Sequence, residues 1–174
     1  YLSNLQSIDL GGAHTLGVAA FSNCAVEEVN IPDSVTTLSN STFSGASVKT
    51  VTGMKGLTTI PQYAFSSSQL ETIDIPDNVT TIGSAAFSGA TKLTDVPGMQ
   101  GVTSLGTSAF SSCSALVNIE LPTKIEGISA QLFQSCKSLS TIAIPSNIKN
   151  IGGYAFYGCT SLSRVNFDTK EADL

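Results

Sequence analysis

Tryptophan is absent from this chain of 174 residues, histidine occurs once, and charged residues make up only 12% of it. With His14 as the sole imidazole, no histidine pair can hold zinc, and a Ser-His-Asp or Cys-His arrangement could be assembled in only one way. There is no basic run, and the net charge is −5, which argues against nucleic acid as the main partner. No apolar stretch approaches the roughly 20 residues that span a bilayer, so membrane insertion of this segment is not expected. The glycines form no phosphate-binding loop ahead of a long helical pattern. Paired carboxylates are the remaining enzymatic option, and a chance outward cluster is their plainer explanation. The sequence therefore predicts no catalysis, no cofactor and no metal site.

What the chain does have is a period. Phenylalanines stand at Phe21, Phe43, Phe65, Phe87, Phe110, Phe133 and Phe156, spaced by 22, 22, 22, 23, 23 and 23 residues. Five residues before each comes an aliphatic, from Leu16 and Leu38 to Ile128 and Ile151. Five or six residues after each comes Val26, Val48, Leu70, Leu93, Leu116, Leu139 or Leu162, and three further on a second aliphatic such as Val29 or Ile73. The unit reads L-x-x-I-x-I-P-x-x-V-x-x-I-G-x-x-A-F-x-x-C-x-x. A hydrophobic content of 41%, organised in this way, is incompatible with a disordered chain.

Each part of the unit has a physical reading. L-x-x-I-x-I alternates inward and outward as a half-buried strand does, for instance at Ile73 and Ile75 around Asp74. Pro32, Pro76, Pro122 and Pro145 then end the strand, because proline offers no N–H to a ladder. V-x-x-I fits a second, shorter extended segment, and the small residues around each phenylalanine suit one tight helical or 3₁₀ turn with the ring inward. One circuit cannot bury both its faces, whereas stacked circuits share a core in which each large apolar side chain contributes roughly 1.5–3 kcal/mol. The expected fold is a repeat solenoid of seven to eight coils over residues 1–167, mostly short parallel strands and turns, with one parallel sheet along one side. The first coil is irregular, as a truncated or capping repeat would be, and residues 168–174 form a polar tail or linker. Because the sequence opens at Tyr1 already inside a repeat, it is expected to be a mature or excised piece of a longer protein, behaving as a monomeric domain of it.

The phrases "LETIDIPDNVTTIGSAAFSGA", "LSTIAIPSNIKNIGGYAFYGC" and "LVNIELPTKIEGISAQLFQSC" resemble the BspA-like class of leucine-rich repeat, and the likeness extends from Leu5 to Phe167. The resemblance implies a right-handed leucine-rich-repeat superhelix, found in surface proteins of bacteria and of some parasitic protists. It also implies an extracellular or cell-surface location and adhesin-like binding of matrix proteins or other cells.

Departures from the unit are as informative as its regularity. Two coils replace I-P by G-M-x-G, at Gly53-Met54-Lys55-Gly56 and Gly98-Met99-Gln100-Gly101. Glycine at an inward strand position weakens the strand. Either it floors a small groove, or the flexible methionine swings in to fill the vacancy; the recurrence of the change in a regular alternation favours the second. His14 lies in the irregular first circuit, where a surface or capping role is the simplest. Cys24, Cys113, Cys136 and Cys159 share one column with Ala46, Ser68 and Ala90, which describes a tight inward slot for a small side chain. Stacking would bring Cys113, Cys136 and Cys159 within disulfide range, but parallel side chains are wrongly oriented for a bridge, and free thiols are expected. Asn40-Ser41-Thr42 and Asn78-Val79-Thr80 match the N-x-S/T glycosylation pattern, a weak signal with no meaning in a bacterium.

Outward strand positions align into columns on a solenoid. One reads Ser7, Glu28, Thr50, Thr72, Asp95, Asn118, Thr141, Arg164, and the next Asp9, Asn30, Thr52, Asp74, Pro97, Glu120, Ala143, Asn166. Through the sixth coil every charge in them is acidic. Such a face suits a basic or hydroxyl-rich protein surface, with Glu28, Asp74, Asp95 and Glu120 as the candidate contacts. A sugar ring usually wants an aromatic platform, which makes a glycan-binding module the weaker alternative. Tyr63, Tyr154 and Tyr157 near the phenylalanine turns are a thinner patch. The same polar residues would also simply keep an exposed sheet soluble, in which case the array is a passive structural spacer.

Overall fold

In the computed structural model the described residues are 2–168. Of the expected polar tail only Asp168 falls among them, and 169–174 lie outside. The elements are β1 (Thr15–Leu16), β2 (Glu28–Ile31), β3 (Thr37–Leu38), β4 (Thr50–Gly53), β5 (Thr59–Ile60), β6 (Thr72–Ile73), β7 (Thr81–Ile82), β8 (Ser104–Leu105), β9 (Gly127–Ile128), β10 (Thr141–Ile144), β11 (Asn150–Ile151) and β12 (Arg164–Phe167). Each pairs in parallel with the equivalent strand of a neighbouring coil, as Val29 with Val51 and Ile60 with Ile82. Coils are numbered here by their phenylalanines, Phe21 being in coil 1 and Phe156 in coil 7, each taken with the strand segment before it.

The core is a set of columns. Seven phenylalanine rings stack with centroids 5.4–5.8 Å apart and planes within 15° of parallel. Aliphatic columns flank them, including Val35, Leu57, Val79, Val102 and Ile125, all buried. Truncating one of these rings would cost about 3–5 kcal/mol by the usual transfer and cavity terms.

The segment around each phenylalanine is a run of turns, and the one 3₁₀ turn among the described residues is Met99–Gly101 instead. The reason lies in the backbone. Residues two before and two after the ring take left-handed φ, for example Tyr63 (57°) and Ser67 (54°) around Phe65. With that alternation the N–H groups at positions −2, 0 and +2 all point along the axis. Tyr63, Phe65 and Ser67 donate to Ser84, Ala86 and Ser88 of the next coil at 2.7–3.1 Å, and the same triplet recurs at every junction from coils 1 and 2 to coils 6 and 7. Those hydrogen bonds offset a left-handed conformation that costs of order 1 kcal/mol or more for a non-glycine residue.

The strand side is less continuous than the single sheet that the period predicts. One sheet runs β2-β4-β6 and reaches coil 5 only through a bridge between Thr72 and Asp95; pairing resumes with β10-β12. The second strip also breaks there, between β5-β7-β8 and β9-β11, and once earlier, since β1-β3 forms a separate pair. Between coils 5 and 6, among the described residues, the main-chain bonds are the phenylalanine-side triplet from Ser108, Phe110 and Ser112 to Ala130, Leu132 and Gln134 and one from Ser138 back to Ser114, with none along either strand strip. The sequence explains the interruption: Pro97 has no N–H, Gly98 sits at φ 88° at the N-cap of the 3₁₀ turn, and Gly127 weakens the facing short strand. Val96, whose N–H would otherwise point at coil 6, donates to its own neighbour, Asp95 Oδ1, at 2.9 Å.

Candidate interaction face

Both readings of the G-M-x-G coils hold together. Met54 and Met99 are buried and fill the core, and Gly53 and Gly98 each line a groove on the strand face. Each glycine is required by its surroundings. A Cβ at Gly53 would meet the Ile31 carbonyl oxygen at 2.1 Å, and one at Gly98 the Ile75 carbonyl oxygen at 2.2 Å, with both residues at left-handed φ.

The first groove, of about 280 Å³, lies between coils 3 and 4 and is lined by Thr52, Gly53 and Lys55 on one wall and Asp74 and Pro76 on the other. Its counterpart between coils 5 and 6 is about 310 Å³, with Asp95, Pro97 and Gly98 facing Asn118, Glu120 and Pro122. Gln100, in place of Lys55, completes the second groove. This groove occupies the point where pairing stops.

Of the four acidic residues singled out from sequence, the fold therefore brings Asp95 and Glu120 into one cavity. Asp74 lies one coil before Asp95, with its Oδ1 so close above Gly98 that a Cβ there would approach to 2.5 Å. Glu28 stands apart, at the start of β2 beside a wide shallow depression formed with Ser3 to Ile8. All four are exposed, and none is in an ion pair among the described residues. The two ion pairs that exist there, Lys49–Glu27 at 2.8 Å and Lys149–Glu126 at 2.7 Å, link successive coils at the surface. Pairing with Glu27 raises the Lys49 pKa, and pairing with Lys149 lowers that of Glu126.

The other candidates have structural placements. His14 Nδ1 is 3.0 Å from the Ser34 carbonyl, and its own carbonyl accepts the N–H groups of Thr36 and Thr37, so it ties coil 1 to coil 2. Asn78 Nδ2 donates to the carbonyls of Lys55 and Leu57, and Asn147 Nδ2 repeats this with Thr123 and Ile125. That engagement gives Asn78 a structural use of the nitrogen a glycan would need. Tyr154 and Tyr157 are exposed and meet edge to face at 5.8 Å, apart from the acidic groove. The cysteines are free: Cys24, Cys113 and Cys136 buried, and Cys159 half-buried. Among the described residues no group of three or more His, Cys, Asp or Glu side chains is arranged to hold a metal ion. No helix of those residues is long and apolar enough to cross a membrane.

Sequence reasoning missed the grooves as a pair. The signal was present in the contrast between G-M-K-G and G-M-Q-G, but only the fold shows that the third position of the motif lines a cavity.

The family model for the BspA type leucine-rich repeat region matches residues 1–116 and 95–173, in six copies. The chain belongs to this family. Among solved structures it is similar to a leucine-rich cell surface protein from Faecalibacterium prausnitzii, at 25% identity and a TM-score of 0.68, over 92% of this chain and 52% of that one. A leucine-rich repeat protein of T. pallidum gives 26% identity and a TM-score of 0.63 over 80% of this chain and 57% of its own. A leucine-rich repeat protein from Eubacterium ventriosum, at 23% identity and a TM-score of 0.51, covers 94% of this chain and 65% of that one and supports the fold alone. The BspA-type chain described here thus spans about half the length of the first two structures it matches. No curated protein matches it.

Proposed function

We propose that this BspA-type domain is an adhesin-like, protein-binding module of an extracellular or cell-surface protein, acting without catalysis or cofactor. Its partner is a host matrix protein or another cell-surface protein, read by several coils together through Glu28, Asp74, Asp95 and Glu120. The observation that carries this reading is that all four carboxylates stand exposed and unpaired among the described residues on the same strand face. Like charges held in a row repel one another and attract a basic surface, raising its association rate and disfavouring acidic partners. The cell-surface description of the Faecalibacterium protein supports the location.

A passive spacer is the second reading, favoured by the phenylalanine-side ladder, which continues through every coil junction and would stiffen a rod. Biolayer interferometry against a panel of matrix and plasma proteins separates the two. Saturable binding that is lost when the four acids become serine supports the binding face. Absence of binding by a folded chain leaves the spacer.

A further inference from the structure

The two grooves are internal copies of one design that differ in charge. In each, a left-handed glycine of the G-M-x-G coil forms the floor, and the following coil supplies a carboxylate and a proline as the far wall: Asp74 and Pro76 in one, Glu120 and Pro122 in the other. The groove between coils 3 and 4 carries its own cation, Lys55. At the equivalent position between coils 5 and 6 stands the uncharged Gln100, while the acidic count rises, since Asp95 joins Glu120. No cationic side chain lines that second groove. It is also the groove whose coil 6 wall is unpaired: Asn118 to Leu121 make no strand pairing with coil 5 or coil 7, which leaves their N–H and C=O groups without a main-chain partner among the described residues.

From these observations we infer that the groove between coils 5 and 6 is a receptor for a lysine or arginine side chain of the partner protein, which supplies from outside the cation that Lys55 supplies within the chain one groove earlier. The methylene stem of the guest lies against Pro97 and Pro122, and its charged head lies between Asp95 and Glu120. Open main-chain groups of coil 6 meet the polypeptide on either side of it. This inference rests on the proposed protein-binding role and narrows it to one site and one type of anchor.

A fluorescein-labelled octalysine peptide tests it by fluorescence polarisation, at low ionic strength and at about 0.15 M salt. Glu120→Gln removes an acid of the groove, and Gln100→Lys installs the internal cation of the earlier groove. Each is expected to weaken peptide binding by about fivefold or more, whereas Asp33→Asn, which removes the same charge on a different corner, changes it less than about twofold. Equal binding by all three variants and the parent chain would show diffuse attraction to an acidic protein and overturn the proposal, as would failure of the parent chain to bind. Matrix-protein binding that is lost in the four-acid variant but fully kept by Gln100→Lys also overturns it, and leaves the broader role of the face intact. Octalysine binding that Gln100→Lys abolishes, in a chain that binds no matrix protein, supports the groove while removing the adhesin reading.

Discussion

The thiol of Cys136 donates to the main-chain carbonyl of Phe110, one coil earlier, at 3.1 Å. Cys113 does the same to Phe87 at 3.2 Å and Cys159 to Phe133 at 3.0 Å. The column that accepts only small side chains is thus also a column of weak hydrogen bonds, each using the second lone pair of a carbonyl that already accepts an N–H within its own coil, as Phe110 does from Cys113.

Burial, reinforced by the neighbouring Cys159, pushes the Cys136 thiol up from 9.0 to about 12, and burial raises Cys113 and Cys159 as well. A thiol that holds its proton more tightly when folded stabilises the fold fully below the unfolded value near 9.0 and progressively less as pH climbs toward about 12. Stability measured by urea denaturation should fall by roughly 1 kcal/mol per pH unit above about pH 9 from Cys136, and by less from the half-buried Cys159. At neutral pH a thiol reagent should label Cys159 first and leave Cys113 and Cys136 untouched until the chain unfolds. Rapid labelling of Cys136 in the native protein would contradict the packing described.

Ser68 occupies the same column in coil 3, and its buried hydroxyl has no hydrogen-bond partner. Removing an unsatisfied buried hydroxyl relieves a desolvation cost of about 1–3 kcal/mol. Ser68→Ala should therefore raise the melting temperature by a few degrees, and Ser68→Cys should do at least as well by donating to the Phe43 carbonyl, as its equivalents do. A melting temperature lowered in both variants would mean that the hydroxyl is satisfied in solution.

Hydrogen exchange should divide the junction between coils 5 and 6 along its length. The N–H groups of Ser108, Phe110 and Ser112 belong to the ladder and are expected to exchange slowly, while those of Asn118 to Leu121 exchange fast. At the junction of coils 3 and 4, Phe65 on one side and Thr80 on the other should both be protected, since both bond across it. Uniform protection at the two junctions would remove the physical basis for an open groove.

The period of phenylalanines and aliphatics was enough to read the stack, the strand before the proline and the small-residue slot at the cysteines, because each is a column in which every coil meets the same steric demand. The break in pairing was not legible in that way. It depends on Pro97, Gly98 and Gly127 acting on two neighbouring coils at once, whereas a repeat consensus averages over coils. The left-handed residues flanking each ring were equally hidden: Ala19, Ser41, Tyr63 and Gln131 share no side-chain chemistry and are alike only in φ. The acidic columns were visible, yet which acids share a cavity followed only from where the sheet ends.

The directions of the hydrogen bonds have a consequence for length. At the junction of coils 3 and 4, Tyr63, Phe65 and Ser67 donate toward the later coil, while Glu71, Thr80 and Gly83 donate toward the earlier one. Peptide dipoles on the ring side and elsewhere in the same junction therefore point in opposite senses along the axis and largely cancel. An α-helix accumulates partial charges at its two ends as it forms. A stack built this way gains coils without building a comparable axial potential, so electrostatics sets no upper bound on how many coils such an array can hold.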